Sequence, residues 1–177
     1  MEKQGITSEW LKANTEISGW LYFFFFTIIV GGLCRAIYPI VAFNAEDYAG
    51  ISCLGAVDII TGLILLSVSF YTVYAFTTRK ANAVFWGKIY VVFVFLTNIF
   101  SLIGCETEEI ILDIFQPVVW GTIWFLYLTF SKKIQEIIPM SYRKISPLDW
   151  VFLIGIILLP VFLFVIGYSQ ITSTVQN

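Results

Sequence analysis

Five long apolar stretches, about 17–43, 50–76, 84–104, 110–131 and 150–168, take up most of this 177-residue chain. A helix needs about 20 consecutive, mostly apolar residues to cross a hydrocarbon core roughly 30 Å thick. The first three stretches have that length outright. The fourth reaches it by recruiting Ile110 to Gln116, which places Asp113 near the headgroups and Pro117 in the first turns, where a missing N–H costs least. The fifth has no ionisable side chain and a central Pro160 expected to kink it. The expected fold is therefore all-α: a polytopic transmembrane helical bundle with a four-helix core and a fifth, C-terminal transmembrane helix. Residues 1–16 read as a short cytoplasmic lead-in with no fold forced on it, 17–169 as the transmembrane domain, and 170–177 as an external tail. The first stretch far exceeds the 7 to 15 residue core of a secretory signal, so it is expected to stay as an anchor.

Composition agrees: 59% of residues are hydrophobic and 12% charged, about half the charge of a typical soluble domain. A soluble domain of about 150 residues buries only about 70% of its unfolded surface, so lipid must solvate much of this chain. The net charge of −2 gives no reason to expect nucleic acid. Histidine is absent, which removes Ser-His-Asp and Cys-His catalysis, His-based zinc hydrolysis and bis-His haem ligation. Cys34, Cys53 and Cys105 form no Cys-x-x-Cys, so neither a redox pair nor a zinc site is signalled. No cofactor and no metal are expected.

Charge placement sets the orientation. Nine of the ten Lys and Arg residues fall on one side if the amino terminus is cytoplasmic: Lys3, Lys12, Arg79, Lys80, Lys88, Lys132, Lys133, Arg143 and Lys144. Opposite loops hold Glu46, Asp47, Glu106, Glu108, Glu109 and Asp113 without a single Lys or Arg. The positive-inside rule then puts the carboxyl terminus outside.

Gly19-Trp20-Leu21 opens the first stretch, and Tyr127-Leu128-Thr129-Phe130-Ser131-Lys132-Lys133-Ile134 closes the fourth. On these residues the chain resembles the bacterial membrane proteins grouped as domain of unknown function 2569, four-span proteins with a Gly-Trp-Leu start and a Ser-Lys-Arg-Val type ending. Lys133 and Ile134 stand here for the usual Arg and Val. The resemblance covers roughly 17–139 and leaves the fifth helix as an addition. It implies a bacterial inner membrane location and no assigned activity.

Arg35 and Asp58 are the charges inside the first two stretches. A charge at the bilayer centre costs about 2.5 to 3.5 kcal/mol on insertion scales, so each asks for a partner. An antiparallel hairpin centred on Glu46 and Asp47 would bring them to similar depth, with Gly31 and Gly62 allowing close helix approach. The pair reads either as a register-setting ion pair or, with Asn98, Asp113 and Gln116, as a polar site in the outer half of the bundle. All three cysteines map to the outer side, and free thiols are favoured there because Cys34 and Cys53 lie inside helices. The segment Ser131 to Lys144 sets Lys132, Lys133, Arg143 and Lys144 around Ile134, Ile137 and Ile138. It reads as a topology determinant lying on the membrane, or as a docking surface for a cytoplasmic partner. The leading function class is a non-enzymatic protein acting through interaction or assembly in the bilayer, with a membrane protein or a second copy as partner. A small solute or ion carrier using Arg35, Asp58 and Asn98 is the alternative. A membrane enzyme is disfavoured, because Asp58 alone cannot make an aspartyl dyad.

Overall fold

The computed structural model describes residues 7–17, 19–41, 52–101 and 110–175, and every regular element among them is an α-helix. In chain order these are α1 (Ser8–Asn14), α2 (Trp20–Val41), α3 (Ser52–Thr77), α4 (Ala83–Ser101), α5 (Ile110–Phe130), α6 (Lys132–Ile137) and α7 (Pro147–Val175). Three are long and apolar enough to cross a membrane, over Trp20–Val41, Gly55–Thr77 and Pro147–Ile166, and α4 adds a shorter apolar helix over Ala83–Asn98. The acidic connections 42–51 and 102–109, Cys105 with them, lie outside the described residues, as do the side chains of Cys53 and Asp113.

Helix ends follow from local chemistry. Thr7 caps α1, its hydroxyl accepting from the Trp10 N–H at 3.2 Å, and Glu9 and Lys12 sit at the ends that suit the helix dipole. Residues 8–14 of the lead-in are thus helical, and Leu11 among them is fully buried. Gly19 turns the chain into α2 at φ +58°, a left-handed conformation that costs other residues about 1–2 kcal/mol. At α7, the Ser146 N–H donates to Asp149 Oδ2 at 2.8 Å while the Ser146 hydroxyl accepts from the Leu148 N–H at 3.3 Å. With Pro147 in the first helical position, this capping box starts α7 three residues before Trp150. Pro117 falls in the third turn of α5, which begins at Ile110 as the fourth stretch does.

The chain divides into two compact units, Met1–Phe26 with Phe70–Ile145 and Thr27–Ser69 with Ser146–Asn177. In the first unit an aromatic cluster forms the core: Phe24 meets Trp124 at 4.9 Å between ring centroids, and Phe25 meets Phe76 at 5.7 Å. Antiparallel α4 and α5 mesh beside it, with Gly87 facing Leu128 and Gly121 facing Val91. In the second unit α2 and α3 approach through small residues. A Cβ on Gly62 would overlap the Arg35 carbonyl oxygen and lie 3.0 Å from Ala36 Cα, and one on Gly32 would lie 3.1 Å from Ser69 Cβ. Only glycine admits that backbone contact.

Candidate functional site

The polar residues singled out by sequence are divided between the units: Arg35 and Asp58 in the second, Asn98, Asp113 and Gln116 in the first. Gly62 sits at the level of Arg35, so Asp58, four residues earlier in α3, lies about one turn, ~6 Å, nearer the α2–α3 connection. Arg35 is half-buried and Asp58 exposed. Asn98, also half-buried, donates its amide to the Val94 carbonyl at 2.7 Å, and Gln116 is exposed. Cys34 is a free, exposed thiol.

The basic segment joins the first unit through its apolar residues. Ile134, Ile137 and Ile138 are all fully buried, so its apolar side is folded into protein. Its four cations part company as well. Lys132 and Lys144 are exposed, and Lys133 pairs with Glu136 at 3.7 Å in an open position where such pairs contribute little. Arg143 is half-buried, donates from Nε to the Ile138 carbonyl at 3.0 Å, and keeps a buried Nη2 without an acceptor. Burial pushes its guanidinium below the ordinary arginine pKa, yet an arginine so displaced still carries its charge at neutral pH. The Lys144 N–H donates to the Ala81 carbonyl at 3.2 Å, which ties the segment to the α3–α4 turn.

That turn holds a residue the sequence did not set apart from its neighbours. Arg79 occupies the left-handed position after α3, at φ +56°, where glycine is usual, and the Lys80 N–H closes the motif on the Ala75 carbonyl at 2.8 Å. Its buried guanidinium donates to the Phe76 carbonyl at 2.9 Å, the Thr15 carbonyl at 2.8 Å and Thr15 Oγ1 at 3.2 Å. Thr15 ends α1, so one cation serves the carbonyl ends of two helices, where the dipole favours positive charge. Desolvation by burial lowers the Arg79 pKa. Nearby, Lys80 Nζ stands 4.6 Å from the Tyr74 ring centroid, and Lys88 Nζ stands 5.1 Å from that of Phe125. Such contacts contribute about 0.5–1 kcal/mol at exposed sites. The first unit thus gathers cationic and aromatic side chains. Among the described residues no group of three His, Cys, Asp or Glu is placed to hold a metal.

No protein-family model, no curated protein and no solved structure matches the chain.

Proposed function

We propose that the chain is a five-span protein of the bacterial inner membrane, cytoplasmic at its amino terminus and external at its carboxyl terminus. It is akin to the domain of unknown function 2569 group with one helix added, and it acts by associating with another protein inside the bilayer. The one-sided distribution of Lys and Arg supports the orientation. The observation that carries association is the bareness of α7. Only 6% of its most apolar window is buried, against 28% in α2 and 39% in α3. Val151, Phe152, Ile154, Leu159 and Phe164 project from it with about half their surface or more exposed. Lipid satisfies such side chains, but it gives no use to Gly155, where an added Cβ would meet nothing within 4 Å. A glycine inside a helix costs roughly 0.5–1 kcal/mol relative to alanine, and its use in a membrane is to admit a second helix closely. The partner is accordingly a transmembrane helix of a different membrane protein.

Purification in mild detergent, with mass spectrometry of what co-purifies, tests this. A membrane protein should be retained stoichiometrically and lost on Gly155→Leu while the yield of the chain holds. Recovery of the wild-type chain alone, as a monomer with lipid, would sink the proposal, and a homo-oligomer would replace the partner with a second copy. A reporter fused after Asn177 should be active only outside the cytoplasm. Cytoplasmic activity would remove the five-span topology.

A further inference from the structure

Along α7 the exposed residues Val151, Gly155, Leu158, Phe162 and Val165 recur at spacings of four, three, four and three. They follow one face of the helix, opposite the half-buried strip of Leu153, Ile156, Pro160 and Leu163. A line with that repeat is the seam along which two helices crossing at about 20° interlock knobs into holes. This seam has relief. Among the helical glycines whose surroundings are described, Gly32, Gly62, Gly87 and Gly121 would each bring an added Cβ within 4 Å of a neighbouring helix, whereas Gly155 meets nothing. Gly155 is thus an open notch between Val151 and Leu158. Phe162, one heptad later and about 10 Å further along the same line, is the largest projection. Charge is absent from it. From Trp150 to Val175 there is no acidic or basic side chain, and Asp149 is buried, its carboxylate accepting from the Ser146 N–H.

Two copies sharing one membrane orientation pair about a two-fold axis, which sets each seam residue near its own counterpart. Phe162 against Phe162 would hold the helices apart, while one heptad away the two notches at Gly155 need them close. A second copy therefore fits the seam poorly. A charge on the facing helix would find no counter-charge there, at the cost that lipid imposes on a lone ion. We infer that the seam takes one transmembrane helix of a different protein, uncharged along the contact, with a large side chain seated at Gly155 and a small one facing Phe162. This rests on the reading of α7 as the associating helix and gives the partner its shape.

Energy transfer between the labelled full-length chain and labelled synthetic peptides in phosphatidylcholine vesicles tests it. Three transmembrane peptides of leucine and alanine, each inserted in both directions, differ only at two central positions one heptad apart: Phe with Gly, Phe with Phe, or Gly with Gly. The first should associate at least about fivefold more tightly than the other two, the scale of one overpacked or empty site. Gly155→Phe should move the preference to the peptide with two Gly, and Phe162→Gly to the one with two Phe. Exchanging the two residues in one chain should restore the original preference. Equal association of the three peptides with the wild type, or an unmoved preference in Gly155→Phe, would overturn the inference. Stronger transfer between two differently labelled copies than to any peptide would make a second copy the occupant and overturn it too. Failure here while Gly155→Leu still releases a co-purified membrane protein would remove the complementary relief and leave the association of α7 standing.

Discussion

Unit one, Met1–Phe26 with Phe70–Ile145, and unit two, Thr27–Ser69 with Ser146–Asn177, hold their helices by different physics. The first contains most of the largest fully buried side chains among the described residues, Leu11, Phe24, Phe76, Leu128 and Ile134 among them. It also contains the short helices α1 and α6. The second has few such side chains, Ile28 and Leu65 being the largest. It relies instead on Gly32 and Gly62, which let α2 and α3 touch through backbone. The difference teaches where apolar burial matters. Removing a leucine from water is favourable, whereas exchanging lipid for another side chain gains little beyond fit. Large buried side chains therefore hold the first unit, while close approach at glycines holds α2 against α3 in the second.

The largest test of that contrast compares two phenylalanines. Phe24→Ala opens a cavity beside Trp124 and Phe76 and should destabilise the protein by about 3–5 kcal/mol. Phe162→Ala, on the exposed surface of α7, should stay within about 0.5 kcal/mol. Denaturant titration in detergent reads both, and losses of equal size would erase the distinction between the units. Next comes Arg79→Ala, which removes three donors from two helix ends while leaving a side chain in a left-handed conformation. A loss of about 2–3 kcal/mol is expected, with hydrogen exchange in α1 rising more than in α4. Arg79→Lys should recover little of it, because one ammonium cannot replace a planar fork. Unchanged protection of α1 would show that Arg79 does not hold it.

Glycines in the second unit give a smaller and sharper comparison. Gly62→Ala forces a methyl group into the Arg35 carbonyl and should cost about 1–3 kcal/mol. Gly155→Ala meets open space and should be neutral or stabilising by up to about 1 kcal/mol, the difference in helix propensity. Thermal unfolding of the two variants in the same detergent decides it. Similar midpoints would mean that α2 and α3 are not in backbone contact.

Much of this was legible, because apolar length is a composition signal that survives without context. The long helices α2, α3 and α7 announce themselves, and Ser146-Pro147-Leu148-Asp149 could have dated the start of α7 from its capping chemistry. Other features depend on tertiary surroundings. α1 has a cap and well-placed charges, but seven residues cannot sustain a helix alone, so its existence hangs on Leu11 finding a buried place. Ile134, Ile137 and Ile138 have a spacing that fits lipid or protein equally, and only the fold decides between them. Arg79 looks like Lys80 in the sequence; its distinction is a backbone angle and three acceptors contributed by residues far apart in the chain. The Arg35–Asp58 hairpin was drawn symmetrically about its connection, and the Gly62 contact shifts that register by about a turn.

The smallest predicted effect concerns that shifted pair, and it tests whether unit two has any electrostatic anchor. A buried ion pair broken at one end typically costs 3–5 kcal/mol, because a charge is stranded. Asp58, however, is exposed and sits about one turn from the level of Arg35. Pairs of that kind contribute about 0.2–1 kcal/mol. In a double-mutant cycle of Arg35→Gln and Asp58→Asn, folded yield and detergent stability should therefore be nearly additive, with a coupling below about 1 kcal/mol. Asp58→Asn is isosteric and Arg35→Gln keeps a polar amide in place of the charge, and the cycle cancels packing losses particular to either single variant. A coupling above about 3 kcal/mol would mean that the two charges meet directly. Unit two would then hold together by an ion pair as much as by its glycines, and the contrast with unit one would narrow accordingly.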